Sequence, residues 1–203
     1  MIQKIIIQIF LKVEKHLHEF PLFETNQKLW ATYSRDWGFK YVFINDLNYE
    51  QYLGEYAEFY NNLEFVWQKI DFLRYLVVNK LGGIYIDLDI EPGVNADLYD
   101  LLDMKYIINK WQDPKTGKWE VTNSILGAGI GDLTPLIKYA IGETERCRNI
   151  PCYKVRKIRF MLHTTGVRAF KRWCKLERIS YTPTIHRYIY DHCASTWTTE
   201  KFG

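Results

Sequence analysis

The chain runs to 203 residues, of which 47% are hydrophobic, 25% charged and 16% aromatic. That balance excludes a disordered protein, which pairs low hydrophobicity with high net charge, and no window approaches the roughly 18 uncharged apolar residues of a membrane span. The formal charge of +3 is unevenly spread: between Arg146 and Arg178 eleven Lys or Arg stand against Glu177 alone, and the remainder of the chain is net acidic.

A basic stretch of this kind suits a phosphate-bearing ligand, an anionic polymer or a membrane surface, and equally a solvated helix face. Cys147, Cys152, Cys174 and Cys193 contain no C-x-x-C pair, which argues against a structural zinc site and for buried free thiols in a reducing compartment. Residues 5–11 are too short a run for a leader and lack a small-residue cleavage site, so a cytoplasmic location without signal peptide or membrane anchor is expected.

In chain order, Lys4 to Phe10 reads as a strand covered on both faces, and Pro21 to Trp37 as a loop followed by a helix. Lys40 to Ile44 is a second strand, ended by the turn chemistry of Asn45, Asp46 and Asn48. A Tyr- and Glu-rich helix is expected to run to Tyr60. Across Glu64 to Lys80, apolar residues at Val66, Ile70, Leu73, Val77 and Leu81 recur at helical steps. Gly82-Gly83 stops that helix, and Ile84 to Ile86 follows as a short buried strand. Pro92-Gly93 makes a turn. Tyr106 to Trp111 and Trp119 to Leu126 form a hairpin, and Leu133 to Arg146 and Gly166 to Leu176 are helices. Strands separated by helices predict an α/β layered fold with a mostly parallel central sheet, in one domain over residues 1–203.

The strand at Ile84 to Ile86 ends in Asp87-Leu88-Asp89. Open α/β folds bind ligands at the carboxyl edge of the sheet, where these carboxylates would stand. In extended chain, side chains at i and i+2 point the same way, and two carboxylates aimed at one point repel unless a cation sits between them. Hard oxygen ligands in small number favour Mg²⁺ or Mn²⁺. Asp71 and Arg74 share one face of the preceding helix. They read either as a local ion pair or as groups meeting a ligand at the same edge, the Arg suited to phosphate and the carboxylate to sugar hydroxyls.

The block of Asp71, Arg74, Gly82-Gly83, Tyr85, Asp87 and Asp89 resembles the DXD glycosyltransferases of the family holding initiating α-mannosyltransferases and capsular polysaccharide enzymes (glycosyltransferase family 32-like). It is similar also to the catalytic domain of the large glucosylating bacterial toxins. Weaker matches are Lys4 to Phe10, resembling the opening strand whose aromatic residue stacks on the nucleotide base; Asp46-Leu47-Asn48, resembling a loop that borders the nucleotide; Thr122-Asn123-Ser124, resembling the segment whose Asn lies beside the donor sugar; and His192 to Trp197, resembling the closing motif. Phe10 stands where the relatives usually carry Trp.

The resemblance implies a GT-A fold, a divalent metal (Mn²⁺ or Mg²⁺) and a UDP- or GDP-sugar donor. The acceptor would be a glycan, lipid-linked or protein molecule, and not nucleic acid. It implies that Asp87, Asp89 and His192 hold the metal. Phe10, Asp46, Asn48, Tyr85 and Asp87 would contact the nucleotide-sugar, and Ser195 and Trp197 would clamp the diphosphate. Asp71, Arg74, Asp87 and Asn123 would carry the catalysis, with retention of anomeric configuration. The basic 146–178 region would make peripheral contact with a lipid-linked or anionic acceptor.

Three other readings compete. Asp87-x-Asp89 also suits a haloacid-dehalogenase-type phosphatase, whose first Asp is a nucleophile, although that class places the motif on its first strand. Gly127, Gly129 and Gly131 suggest a dinucleotide loop out of register with G-x-G-x-x-G. The Tyr and Trp excess suits a non-catalytic sugar-binding module. His16 and His18 read as a solvated loop, His163 and His186 have no partner visible in sequence, and Trp111 and Trp119 suit hairpin packing or acceptor binding.

Overall fold

The structure is a computed structural model that describes residues 1–12, 16–93, 97–112, 116–148, 150, 157–182 and 185–191. Its centre is a five-stranded sheet built from β1 (Ile5–Ile9), β2 (Lys40–Ile44), β3 (Gly83–Ile86), β5 (Tyr106–Gln112) and β6 (Trp119–Ala128), in the order β2-β1-β3-β6-β5. β4 (Ile90–Pro92) and β7 (Ile189–Asp191) form a separate antiparallel pair. The helices are α1 (Pro21–Asp36), α2 (Ala57–Asn61), α3 (Val66–Leu81), α4 (Thr134–Arg148), α5 (Lys157–Thr164) and α6 (Val167–Leu176).

The α/β class is the expected one, but the sheet is mixed rather than mostly parallel. β1 pairs in parallel with β2 and β3, whereas β6 runs antiparallel to both β3 and β5. The hairpin accounts for the pairing of β6 with β5, because a strand returning through a short loop pairs antiparallel with its predecessor.

Continuous apolar runs in the central strands follow from cover on both faces. Ile6, Ile84, Ile86, Ile107 and Ile125 pack with Trp30 and Tyr33 of α1. On the other face Ile7, Ile9, Tyr85, Ile108 and Leu126 pack with α3, α4 and α6 through residues such as Leu73, Val77, Leu136 and Phe170.

Several elements differ from the sequence reading for identifiable reasons. The segment after Phe20 is helical from Pro21 onward, since proline at the first helical position loses no hydrogen bond and arrives with helical φ. The Tyr- and Glu-rich stretch is two 3₁₀ turns, Tyr49–Tyr52 and Gly54–Tyr56, and only then α2. Gly54 sits at φ +50°, a conformation that interrupts a right-handed helix. The helix over 66–81 ends at the two glycines as read. Gly83 has φ +95°, and a Cβ there would lie 2.6 Å from the Ile5 carbonyl oxygen. Only glycine lets α3 hand over to β3 so close against β1.

Cys147 and Cys174 are both buried and Cys174 is a free thiol, as expected of it, while Cys152 and Cys193 lie outside the described residues. Burial pushes the Cys174 thiol up to about 12, so it stays protonated and inert. Among the described residues no helix is long and apolar enough to cross a membrane.

Candidate active site

Because β1, β2 and β3 are mutually parallel, their carboxyl ends share one edge of the sheet. Phe10, the loop of Asn45 to Asn48, and Asp87 follow those three strands. β6 enters from that same edge and carries Thr122, Asn123 and Ser124, and the Asp87 amide donates to the Ser124 carbonyl at 2.8 Å. α3 lies across the face to which Tyr85 points, and its middle turns bring Asp71 and Arg74 beneath the edge.

Arg74 is the hub. Its side chain is 8% exposed, with Nη2 3.1 Å from Asp71 Oδ1 and Nη1 3.3 Å from Asp87 Oδ1. Nη1 also donates to the Asn123 carbonyl at 2.7 Å. The guanidinium carbon lies 4.7 Å from the centre of the Tyr85 ring, and the Tyr85 phenol donates to the same Asp87 Oδ1. Asn123 closes the circuit: its amide donates to Asp71 Oδ1 at 2.9 Å and to the Tyr75 hydroxyl at 3.2 Å. Tyr75 in turn donates to the Thr165 carbonyl at 2.7 Å.

The electrostatics follow from burying two carboxylates around one cation. Burial pushes Asp71 up to about 6, against the opposing pull of Arg74 and the Asn123 amide. Asp87 is pushed up to about 7, by burial first and also by the Asp89 charge, with Arg74 opposing. Burial alone would lower Arg74, but Asp87, Tyr85 and Asp71 outweigh it and hold the guanidinium charged. Burial holds both phenols protonated, so each remains a donor.

The two aspartates are not side by side in extended chain as their spacing suggested. The Ile90 amide donates to the Asp87 carbonyl at 3.2 Å, which makes residues 87–90 a β-turn. Asp89 remains close enough for its charge to raise Asp87.

The donors fit a hard divalent cation. They are carboxylate oxygens, and one oxygen of Asp87 is already held by Arg74 and Tyr85. A metal held by its other oxygen and by Asp89 would relieve the repulsion between the two charges. Among the described residues no cluster of three His, Cys, Asp or Glu could hold a metal. His192, Ser195 and Trp197 lie outside the described residues.

Asp71, Arg74, Tyr85, Asp87 and Asn123 are thus brought into one network, with Asp89 beside it. Phe10, Asp46 and Asn48 stand at the same edge. The Phe10 ring packs edge-on against Phe20, 6.1 Å between centres. Asp46 accepts from the Lys12 amide at 2.9 Å. Asn48 is committed to its own turn, donating to the Phe43 carbonyl and accepting from the Asn45 amide.

Sequence reasoning missed Tyr75, Gly166 and Asn26. The first two touch the network from residues that look like ordinary helix and turn. A Cβ on Gly166 would lie 3.1 Å from Asp71 Oδ2 and 3.0 Å from the Leu162 Cα, so the turn between α5 and α6 floors the site. Only the glycine opening the last helix hinted at it.

His16, His18, His163 and Trp119 lie apart from the network. His16 and His18 stack with ring centres 5.4 Å apart, and Lys12 Nζ is 3.1 Å from His16 Nε2. His163 sits between Arg172 and Arg168, each 3.0 Å from a ring nitrogen. Burial and those two charges hold its pKa below the ordinary value. Trp119 is 50% exposed, with Lys110 Nζ 4.1 Å from its ring centre. The side chains of Trp111 and His186 lie outside what the structure describes. The glycines at 127 and 129 belong to the end of β6 and the turn beyond it. β6 is antiparallel to β3, which removes the βαβ context that a dinucleotide loop requires.

Residues 12–116, just over half of the chain, match the family described as the glycosyltransferase sugar-binding region containing the DXD motif. The chain belongs to this family. No curated protein matches it significantly. Among solved structures it is similar to the PaToxG glycosyltransferase, with 15% identity over 87% of this chain and 70% of that one and a TM-score of 0.44. It is also similar to a glycosyltransferase involved in the glycosylation of the major capsid of PBCV-1, with 12% identity over 74% of this chain and 69% of that one and a TM-score of 0.45.

Proposed function

We propose that this chain is a single catalytic domain that moves a sugar from a UDP- or GDP-sugar to a glycan, lipid-linked or protein acceptor, with retention of configuration and with Mn²⁺ or Mg²⁺ bound. The observation that carries the reading is the buried Arg74 tying Asp71 and Asp87 together beneath the sheet edge, with Asp89 two residues beyond.

Asp89 and the Asp87 oxygen left over by Arg74 and Tyr85 hold the cation, joined by His192. The pairing of Ile90 with Asp191 supports His192 in that role, because it brings the last described residue beside the turn. When bound, the cation neutralises charge developing on the diphosphate leaving group. Asp71 accepts hydrogen bonds from donor-sugar hydroxyls, and Asn123, held by Tyr75, lies beside it. Arg74, with its two terminal nitrogens engaged by Asp71, Asp87 and Asn123, works by fixing both carboxylates. Phe10 stacks on the base, Asp46 and Asn48 border it, and Ser195 and Trp197 close over the diphosphate and exclude water.

Arg159, Arg168, Lys171, Lys175 and Arg178 are exposed around α5 and α6, which supports an anionic or lipid-linked acceptor. The buried free thiol of Cys174 supports a reducing compartment such as the cytoplasm.

The test is release of nucleoside diphosphate across a panel of UDP- and GDP-sugars, with Mn²⁺ and with chelator. Turnover of one donor that chelator abolishes is expected. Absence of turnover with every donor would overturn the enzyme reading, and equal rates in chelator would remove the metal. Proton NMR of the first-formed product reads the anomer, and a β-linked product from an α-linked donor rejects retention.

A further inference from the structure

The turn bearing Asp87 and Asp89 is held from the opposite face of the sheet. Asn26 and Trp30 lie one helical turn apart on the buried face of α1, and both are 0% exposed. The Asn26 amide donates to the carbonyl of Leu88, the residue between the two aspartates, at 2.9 Å. The Trp30 indole donates to the Ile90 carbonyl, just past the second aspartate, at 2.8 Å. Together with the Asp87 amide on Ser124 and the Ile90 amide on Asp87, these bonds tether the turn from within itself, from β6 and from α1.

Stability of the core is a poor explanation for an asparagine at position 26. Its Oδ1 is buried with no hydrogen-bond partner, and a half-satisfied buried amide is disfavoured relative to an apolar side chain of similar size. What the amide does achieve is to fix one peptide plane, the plane that sets the angle between the two carboxylates.

We propose that Asn26 and Trp30 are positioning residues for the divalent-cation site, clamping the backbone between and after Asp87 and Asp89 so that both carboxylates converge. This rests on the metal reading of the previous subsection. Groups that orient ligands from behind typically govern metal affinity by about 10- to 100-fold.

The experiment measures the Mn²⁺ dissociation constant, from the electron paramagnetic resonance signal of free Mn²⁺, on the full chain without donor. Wild type, Asn26→Leu, Trp30→Phe and the distant core variant Leu136→Ala are compared, with thermal melts run alongside. The expected result is affinity weakened about 10-fold in Asn26→Leu and in Trp30→Phe, with unchanged affinity in Leu136→Ala despite its lower melting temperature. If either clamp variant fails to fold, the other carries the test. Wild-type affinity retained in a folded clamp variant overturns the proposal and leaves the metal reading standing. No Mn²⁺ binding by wild type overturns both.

Discussion

Arg74 Nη1 lies 3.3 Å from Asp87 Oδ1, and the Tyr85 phenol reaches that same oxygen. One carboxylate oxygen is therefore saturated from within the protein, and its partner is left for whatever binds at the sheet edge. Removing the guanidinium leaves two carboxylates facing each other without a counter-ion.

Arg74→Met is expected to destabilise the fold by roughly 3–5 kcal/mol, the usual cost of breaking a buried pair, or a fall in melting temperature of roughly 6–20 °C for a chain this size. Adding Asp71→Asn should recover part of the loss. Equal melting temperatures for wild type and Arg74→Met would show that the network contributes nothing.

Asp71 predicts a pH dependence. The folded carboxyl keeps its proton up to about 6, above the ordinary carboxylate value, so between the two values the folded state binds more protons than the unfolded chain. The stability that this group contributes is complete below its ordinary value and is lost as pH rises through about 6. In chelator, the fall in melting temperature from pH 5 to pH 8 should be smaller in Asp71→Asn than in wild type, by an amount worth roughly 1–3 kcal/mol. Parallel curves would remove Asp71 as the source.

Much of this site was legible, for a local reason. Asp71 and Arg74 are three apart on one helix, and Gly82-Gly83 carries that helix straight into the strand ending at Asp87, so a single stretch of chain encodes the network's centre. Its supports come from far away: Tyr75 meets Thr165 across 90 residues and Asn26 meets Leu88 across 62. Nothing in the pattern around Asn26 or Thr165 announces a partner at that distance. The same limit hid the pairing of β4 with β7, each three residues long and too short for a periodic signal. The antiparallel pairing of β6 with β3 escaped as well, because alternation along a strand does not reveal which way its neighbour runs.

Tyr75→Phe tests the longest of these supports. It removes the hydroxyl that accepts from Asn123 and donates to Thr165, leaving two buried groups short of a partner. A loss of roughly 1–3 kcal/mol is expected in urea denaturation. On the proposed function, turnover should fall with little change in donor KM, because the Asn123 amide keeps Asp71 but loses its second anchor. Wild-type turnover in a folded Tyr75→Phe protein would separate Asn123 from the chemistry.

Gly166→Ala adds one methyl group against Asp71 Oδ2 and the Leu162 backbone. Gly166 has φ −80°, so alanine is not strained by its own dihedral, and its Cβ presses on the Asp71 carboxylate and on the backbone of Met161 and Leu162. Turnover is expected to drop about 10-fold through a displacement of tenths of an ångström, with the far-ultraviolet circular dichroism unchanged. A fully active Gly166→Ala would mean that the floor of the site yields without cost.

The ladder joining Ile90 to Asp191 sets an order of events during synthesis. A chain emerging from the ribosome can lay down β1, α3 and β3 and collect Asp71, Arg74 and Asp87 while residue 189 is still inside the exit tunnel. Until β7 emerges, the edge of the turn that carries Asp89 lacks its β7 partner. The nascent protein can therefore hold its charged centre before it acquires the outer wall of its turn.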